Sequence, residues 1–163
     1  MNRRTFITTA AGVAVVAGAG CVSSGNGNGA GGSTTTTATP EPKPKVTNKS
    51  LSVVSAGCGN EVSEASVSFQ PDQSQVQVSG VIWGPNACHT GKLESAEYDE
   101  KSDTLTVHVV TEQPDEDAMC AQCIQKIEYE ASVGFENGLP ETVVVNHTVS
   151  GEKTEVTKKS QSA

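Results

Sequence analysis

From Leu51 onward, apolar and polar residues alternate one by one, and no apolar stripe of helical spacing interrupts the pattern. A period of two places successive side chains on opposite faces of a strand, so the pattern predicts strands with one buried and one solvated face. One-sided strands favour an antiparallel sheet, because strands of a parallel sheet are apolar on both faces. About seven strands, with turn signals about every 8–12 residues, predict an all-β fold. We expect a single antiparallel β-sandwich of immunoglobulin-like proportions over residues 51–158, followed by a disordered tail at 159–163.

Two of the alternating runs have features beyond simple alternation. The longest run follows Cys120-Ala121-Gln122-Cys123 and continues to Phe135. The run from Val76 to Trp83 changes parity at Gly80, which predicts a β-bulge at that glycine.

Residues 1–21 have the features of a targeting segment. Arg3 and Arg4 precede an apolar run, Ile7 to Ala19, which at about 13 residues is too short to span a bilayer. Paired arginines ahead of such a run resemble the signal of the twin-arginine export route. Small residues followed by Cys21 resemble a lipobox, in which the cysteine is lipidated, although Gly18 stands where leucine is typical.

Residues 22–50 are rich in Gly, Ser, Thr and Pro and predict a disordered tether. Such a composition cannot bury enough apolar surface to offset the entropy lost on ordering. A signal, a lipidation-type cysteine, a tether and an acidic domain together resemble secreted lipoproteins of haloarchaea. This resemblance implies an extracytoplasmic protein that is anchored to the outer face of the cell membrane through a lipid on Cys21.

The acidic composition bears on partners. The chain has 19 Asp and Glu against 11 Lys and Arg, a net charge of −8, and only 4% aromatic residues. A surface of this kind repels phosphate backbones, so we expect no nucleic-acid partner.

Four cysteines remain once Cys21 is set aside: Cys58, Cys88, Cys120 and Cys123. In an exported chain they predict two disulfides, for which three connectivities exist. In extended chain, the Cα atoms of Cys120 and Cys123 would lie about 10 Å apart, beyond the roughly 7 Å limit for a bridge. A turn between them would remove that objection, so the residues alone leave the connectivity open.

The sequence resembles small exported bacterial and archaeal β-domains of uncharacterised function at three places: residues 86–91, residues 119–123 and the Val143–Asn146 strand. The resemblance covers most of residues 60–150. It implies that Cys88 pairs with Cys120, which leaves Cys58 to pair with Cys123.

The same cysteines allow a working site instead of disulfides. Cys88 and His89, together with Cys120 and Cys123, could bind zinc or copper, and Cys120-x-x-Cys123 could be a redox pair. The strand pattern after Cys123 lacks the βαβ context of a thioredoxin-type site, and oxidation outside the cell competes with metal binding. We therefore expect no cofactor and no metal.

The remaining polar residues give no catalytic pattern. His108 alternates away from the core and is expected to face solvent, whereas His147 shares the parity of Val143 and Val145 and is expected to be a satisfied, partly buried histidine. The segment from Glu112 to Asp117 is expected to be a solvated acidic loop and not a calcium site. No nucleophile motif or phosphate-binding loop occurs.

These observations predict a non-enzymatic binding or structural module of the cell envelope, whose partner is an unidentified envelope protein or ligand. The alternative is a metal-binding or redox protein that uses Cys88, His89, Cys120 and Cys123.

Overall fold

The structure, a computed structural model, describes residues 42–161. Arg3, Arg4, Cys21 and most of the predicted tether lie outside the described residues. Eight strands and one short 3₁₀ turn, Pro71–Gln73, make up the described chain. The strands are β1 Lys45–Cys58, β2 Glu64–Gln70, β3 Gln75–Gly84, β4 Thr90–Asp99, β5 Thr104–Glu112, β6 Gln125–Glu136, β7 Thr142–Val149 and β8 Glu152–Ser160.

The strands form two four-stranded sheets that pack face to face, which confirms the β-sandwich. One sheet has the order β1-β6-β3-β2 and the other β4-β5-β7-β8. The predicted antiparallel pairing is wrong at one place, because β5 and β7 pair in parallel, with Leu105 opposite Val143. The chain leaves the second sheet after β5, runs back along the first sheet as β6 and then returns. Two reversals of direction therefore bring β7 alongside β5 in the same direction.

The inward faces of both sheets form one core. Its members are mostly valines, and the largest fully buried side chain is Tyr129. The buried apolar residues are Val67, Val76, Val78, Ile82, Ala96, Leu105, Val107, Val109, Ile127, Tyr129, Ala131, Val133, Phe135, Val143, Val145 and Val149.

The strands extend beyond the predicted domain bounds at both ends. β1 begins at Lys45, six residues before the predicted domain start at 51, and β8 runs to Ser160, into the predicted tail. Backbone hydrogen bonds to a neighbouring strand do not require apolar side chains, so polar edge strands give no alternation signal. In β8 the side chain of Lys159 donates a hydrogen bond to the backbone oxygen of Val67 in β2, at 2.8 Å, and so links the two sheets at this edge.

The predicted bulge at Gly80 is absent, and the register runs through it without a shift. Gly80 lies opposite Ala65 on one side and Tyr129 on the other. A Cβ atom at Gly80 would lie 2.5 Å from the Tyr129 hydroxyl oxygen. The alternation in β3 is therefore interrupted by a glycine because the Tyr129 side chain occupies the space that an apolar side chain would need.

The connections divide between two opposite ends of the sandwich. The disulfide end consists of residues 59–63, 85–89, 113–124 and 150–151. The tether end consists of the start of β1 at Lys45 and of residues 71–74, 100–103 and 137–141. Among residues 42–161, no helix is long and apolar enough to cross a membrane.

Candidate functional site

One disulfide extends the ladder between β1 and β6. Cys58 ends β1, Cys123 lies two residues before β6, and their Cα atoms are 5.6 Å apart. Beside the bridge, the backbone N–H of Gly59 donates to the oxygen of Ile124 at 2.9 Å. The first strand is thereby fixed to the central strand of its sheet.

The second disulfide joins two loops. Cys88 in the β3–β4 loop pairs with Cys120 in the β5–β6 loop, with Cα atoms 5.5 Å apart. This is the connectivity that the resemblance implied. Asn86 organises the first loop, since its side-chain oxygen accepts from the Cys88 N–H at 3.0 Å and contacts Nδ1 of His89 at 2.9 Å.

The bridges bear on the alternative site of Cys88, His89, Cys120 and Cys123. All four sulfur atoms are in disulfides, so in this state none of them is a thiolate that could bind metal or react. Among residues 42–161, no group of three or more His, Cys, Asp and Glu side chains is placed to hold a metal ion. In the acidic loop, residues 114–117 are exposed, and the Asp115 carboxylate accepts a hydrogen bond from the backbone of Asp117 at 3.0 Å.

Three polar side chains, joined by hydrogen bonds, lead from the surface into the core at the disulfide end. The hydroxyl of Ser63, one residue before β2, lies 2.8 Å from Nδ1 of His147. The other ring nitrogen of His147, Nε2, lies 2.7 Å from the Tyr129 hydroxyl. His147 and Tyr129 are each 1% exposed, so His147 is buried and hydrogen-bonded, as the strand parity predicted, and more deeply than expected.

Burial sets the protonation states of His147 and Tyr129. It lowers the pKa of His147 to about 4, with a smaller contribution from His108, and it raises the pKa of the Tyr129 hydroxyl well above its ordinary value. At neutral pH the imidazole is neutral and the phenol keeps its proton.

The tautomer of His147 follows from Tyr129. In the described chain, His147 is the one hydrogen-bond partner of the Tyr129 hydroxyl, and a buried O–H without an acceptor is costly. We therefore assign Tyr129 as donor to Nε2, which places the ring proton on Nδ1. Nδ1–H then donates to Ser63, so His147 cannot accept the Ser63 proton as a general base.

His108 corrects a prediction. It lies on the outer face of its sheet, but its side chain is only 13% exposed. Nδ1 contacts a carboxylate oxygen of Glu94 at 2.6 Å, and Nε2 contacts the Thr148 hydroxyl at 2.7 Å. Alternation predicted the face correctly, but it could not predict that side chains from the neighbouring strands would cover the ring.

A cleft opens between the two sheets where Ser63 reaches the surface, and we call it the Trp83 cleft. Its volume is about 330 Å³. It lies between the ends of β2 and β3 on one side and β7 and β8 on the other. It is lined by Ser63, Trp83, His147, Val149, Glu152, Thr154, Glu155 and Val156.

No local sequence pattern indicates this cleft. Ser63 lies in a connection with no motif, and the β8 residues lie in a segment that has no alternation. Trp83, the one tryptophan of the chain, was recognised only as part of a strand. Only the packing of the two sheets brings these residues together.

Comparison with known proteins agrees with this fold. Residues 76–156 match the model of a family described as the ORF11 beta-sandwich domain. The ORF11 match runs from β3 into β8 and includes Cys88, Cys120, Cys123 and His147, whereas Cys58 and Ser63 precede it. No curated protein and no solved structure matches the chain. The protein therefore carries a disulfide-containing β-sandwich, and its disulfides indicate an oxidising, extracytoplasmic environment.

Proposed function

We propose that this chain is a membrane-anchored extracytoplasmic lipoprotein whose β-sandwich is a non-enzymatic binding module of the cell envelope. In this proposal, the twin-arginine signal with Arg3 and Arg4 directs export, and a lipid on Cys21 anchors the protein to the outer face of the cell membrane. The segment between Cys21 and β1 is the tether.

The observation that carries the proposal is the placement of the two ends of the sandwich. The chain enters the domain at Lys45, at the tether end, and β1 then runs the length of the sandwich to Cys58 at the disulfide end. A strand of 14 residues spans about 45 Å. A tether attached at Lys45 therefore joins the sandwich at the end opposite to the disulfide end and the Trp83 cleft.

The disulfides suit the role of a presented surface. Both of them fix the β5–β6 loop, one to the end of β1 and the other to the β3–β4 loop. Loops held in one conformation lose less entropy on binding a partner than mobile ones do.

A non-enzymatic role is supported by the assigned tautomer of His147. Because Nδ1 carries a proton, His147 cannot act as a base for Ser63, which then remains an ordinary alcohol. We expect a fluorophosphonate probe, which labels activated serines, to leave Ser63 unlabelled, as judged by peptide mass spectrometry. Labelling of Ser63 would contradict the non-enzymatic role.

Export and anchoring are tested by fractionating cells that express the full chain in a host with the twin-arginine route. We expect the protein in the membrane fraction, where added protease can reach it. Cys21→Ser should release it into the medium. R3K/R4K keeps the positive charge but removes the arginine pair, and it should retain the protein inside the cell. Cytoplasmic wild-type protein, or a Cys21→Ser variant that stays membrane-bound, would overturn the proposal.

A further inference from the structure

The Trp83 cleft has the features of a small-molecule site. Its volume of about 330 Å³ lies at the lower end of the range for ligand pockets. It combines an aromatic wall at Trp83, apolar contacts from Val149 and Val156, and polar groups at its mouth and floor. Trp83 lies two residues beyond the last β2–β3 pair, Glu64 with Val81, so β2 does not cover this edge of β3.

The charge of the lining has one sign. Glu152 and Glu155 line the cleft, whereas the neighbouring Lys153 and Lys158 of the same strand do not. His147 is neutral at its floor and adds no positive charge. The lining therefore repels anions and attracts cations, and an aromatic ring beside carboxylates is the arrangement that binds organic ammonium groups.

Ser63 can orient a ligand through a hydrogen bond. Its oxygen accepts a hydrogen bond from Nδ1–H of His147 at 2.8 Å, so its own O–H is available to donate. A ligand that fills the cleft can receive this hydrogen bond if it carries an oxygen acceptor.

We propose that the Trp83 cleft binds a small organic cation that carries a hydroxyl group, with the ammonium group between Trp83 and the two glutamates and the hydroxyl oxygen at Ser63. The inference rests on the proposed binding function and deepens it by naming a ligand class. Its test does not depend on Cys21, so a failure of binding and a failure of anchoring are separate results.

The test is a titration of the purified full chain with choline, read through the fluorescence of Trp83. Because the chain has one tryptophan, the tryptophan fluorescence comes from Trp83, which lines the cleft. The uncharged isostere 3,3-dimethylbutan-1-ol has the same shape without the positive charge, and glucose tests a neutral polyol.

The variant E152Q/E155Q removes both charges and keeps the side-chain shapes. These residues are exposed on an edge strand, so the fold should persist. The matched control is E97Q/E100Q, which removes two exposed glutamates from the part of the sandwich towards the tether end.

We expect saturable binding of choline, none of the isostere or glucose at the same concentrations, and roughly ten-fold weaker binding of choline in E152Q/E155Q but not in E97Q/E100Q. No saturable response to choline up to about 10 mM would overturn the proposal. So would equal binding of choline and its isostere, saturable binding of glucose in place of choline, or equal affinity in the two paired variants.

Discussion

At the scale of single residues, the contact between Tyr129 and His147 joins the two sheets through the core. Tyr129 belongs to β6 in one sheet and His147 to β7 in the other, and their rings lie edge to face with centroids 5.6 Å apart. The hydrogen bond between them satisfies two polar groups that burial would otherwise penalise. The pair therefore links the two sheets through the core.

Burial of His147 predicts a pH dependence of stability. Its pKa falls from 6.5 when unfolded to about 4 when folded, so between these values the unfolded chain binds a proton that the folded chain does not. The free energy of unfolding should therefore decrease as the pH falls from 6.5 to 4, by about 3 kcal/mol, and this contribution levels off below pH 4. Urea denaturation at several pH values measures it. The slope should be smaller in His147→Gln, and equal slopes in the two proteins would contradict the assignment.

Gly80 gives a second prediction. A Cβ atom there would lie 2.5 Å from the Tyr129 hydroxyl oxygen and 2.8 Å from the backbone oxygen of Glu64. Gly80→Ala must therefore displace the ring or the backbone, and we expect a loss of roughly 1–3 kcal/mol in the free energy of unfolding.

The matched control is Gly57→Ala in β1. An added Cβ at Gly57 meets nothing within 4 Å. This substitution should change stability by less than about 1 kcal/mol, and in the stabilising direction if it changes it at all. Equal effects of the two substitutions in urea denaturation would show that Tyr129 does not pack over Gly80.

At the scale of elements, the disulfides compensate for a core made largely of valine. The bridged cysteines are 65 and 32 residues apart in the sequence. In the chain-entropy model, closing loops of these lengths stabilises the folded state by about 4 kcal/mol each, slightly more for Cys58–Cys123.

We therefore expect C58S/C123S and C88S/C120S each to lower the free energy of unfolding by about 4 kcal/mol in urea denaturation. Wild-type protein in reducing buffer should lose more than either variant in oxidising buffer. If either paired substitution left the stability unchanged, that bridge would not stabilise the domain.

The strands differ in how far the sequence could predict them. β2 to β7 follow the alternation because each has one face in the core, as in β5, where Leu105, Val107 and Val109 are buried. β8 shows no alternation, because Val156 is its one apolar residue. Backbone pairing with β7 holds this strand in the sheet. Strand order, and with it the parallel pair of β5 and β7, depends on pairing between distant segments, which alternation does not encode.

The candidate site could be predicted only in part. Strand parity predicted that His147 is buried, but its partners Ser63 and Tyr129 lie 84 and 18 residues away in the sequence. The cleft exists because β3 extends past the first residue of β2, to which it is paired, and because β8 lies opposite the gap that this leaves. Each of these facts belongs to the tertiary arrangement and has no local signal.

At the scale of the whole molecule, the point where the chain enters the sandwich and the Trp83 cleft lie at opposite ends. The chain enters at Lys45, and both disulfides and the Trp83 cleft lie at the opposite end. Under the proposed function, a ligand or partner binds at the end of the sandwich opposite to the point where the tether attaches.

Whether the protein is an anchored, disulfide-braced module can be measured by the intact mass of the protein extracted from membranes of an exporting host, before and after reduction. We expect a chain that begins at Cys21 and carries the added mass of a lipid. We also expect a gain of four hydrogen masses on reduction, one for each of the four bridged cysteines. A chain that begins at Met1, carries no lipid and shows the same mass before and after reduction would contradict both expectations.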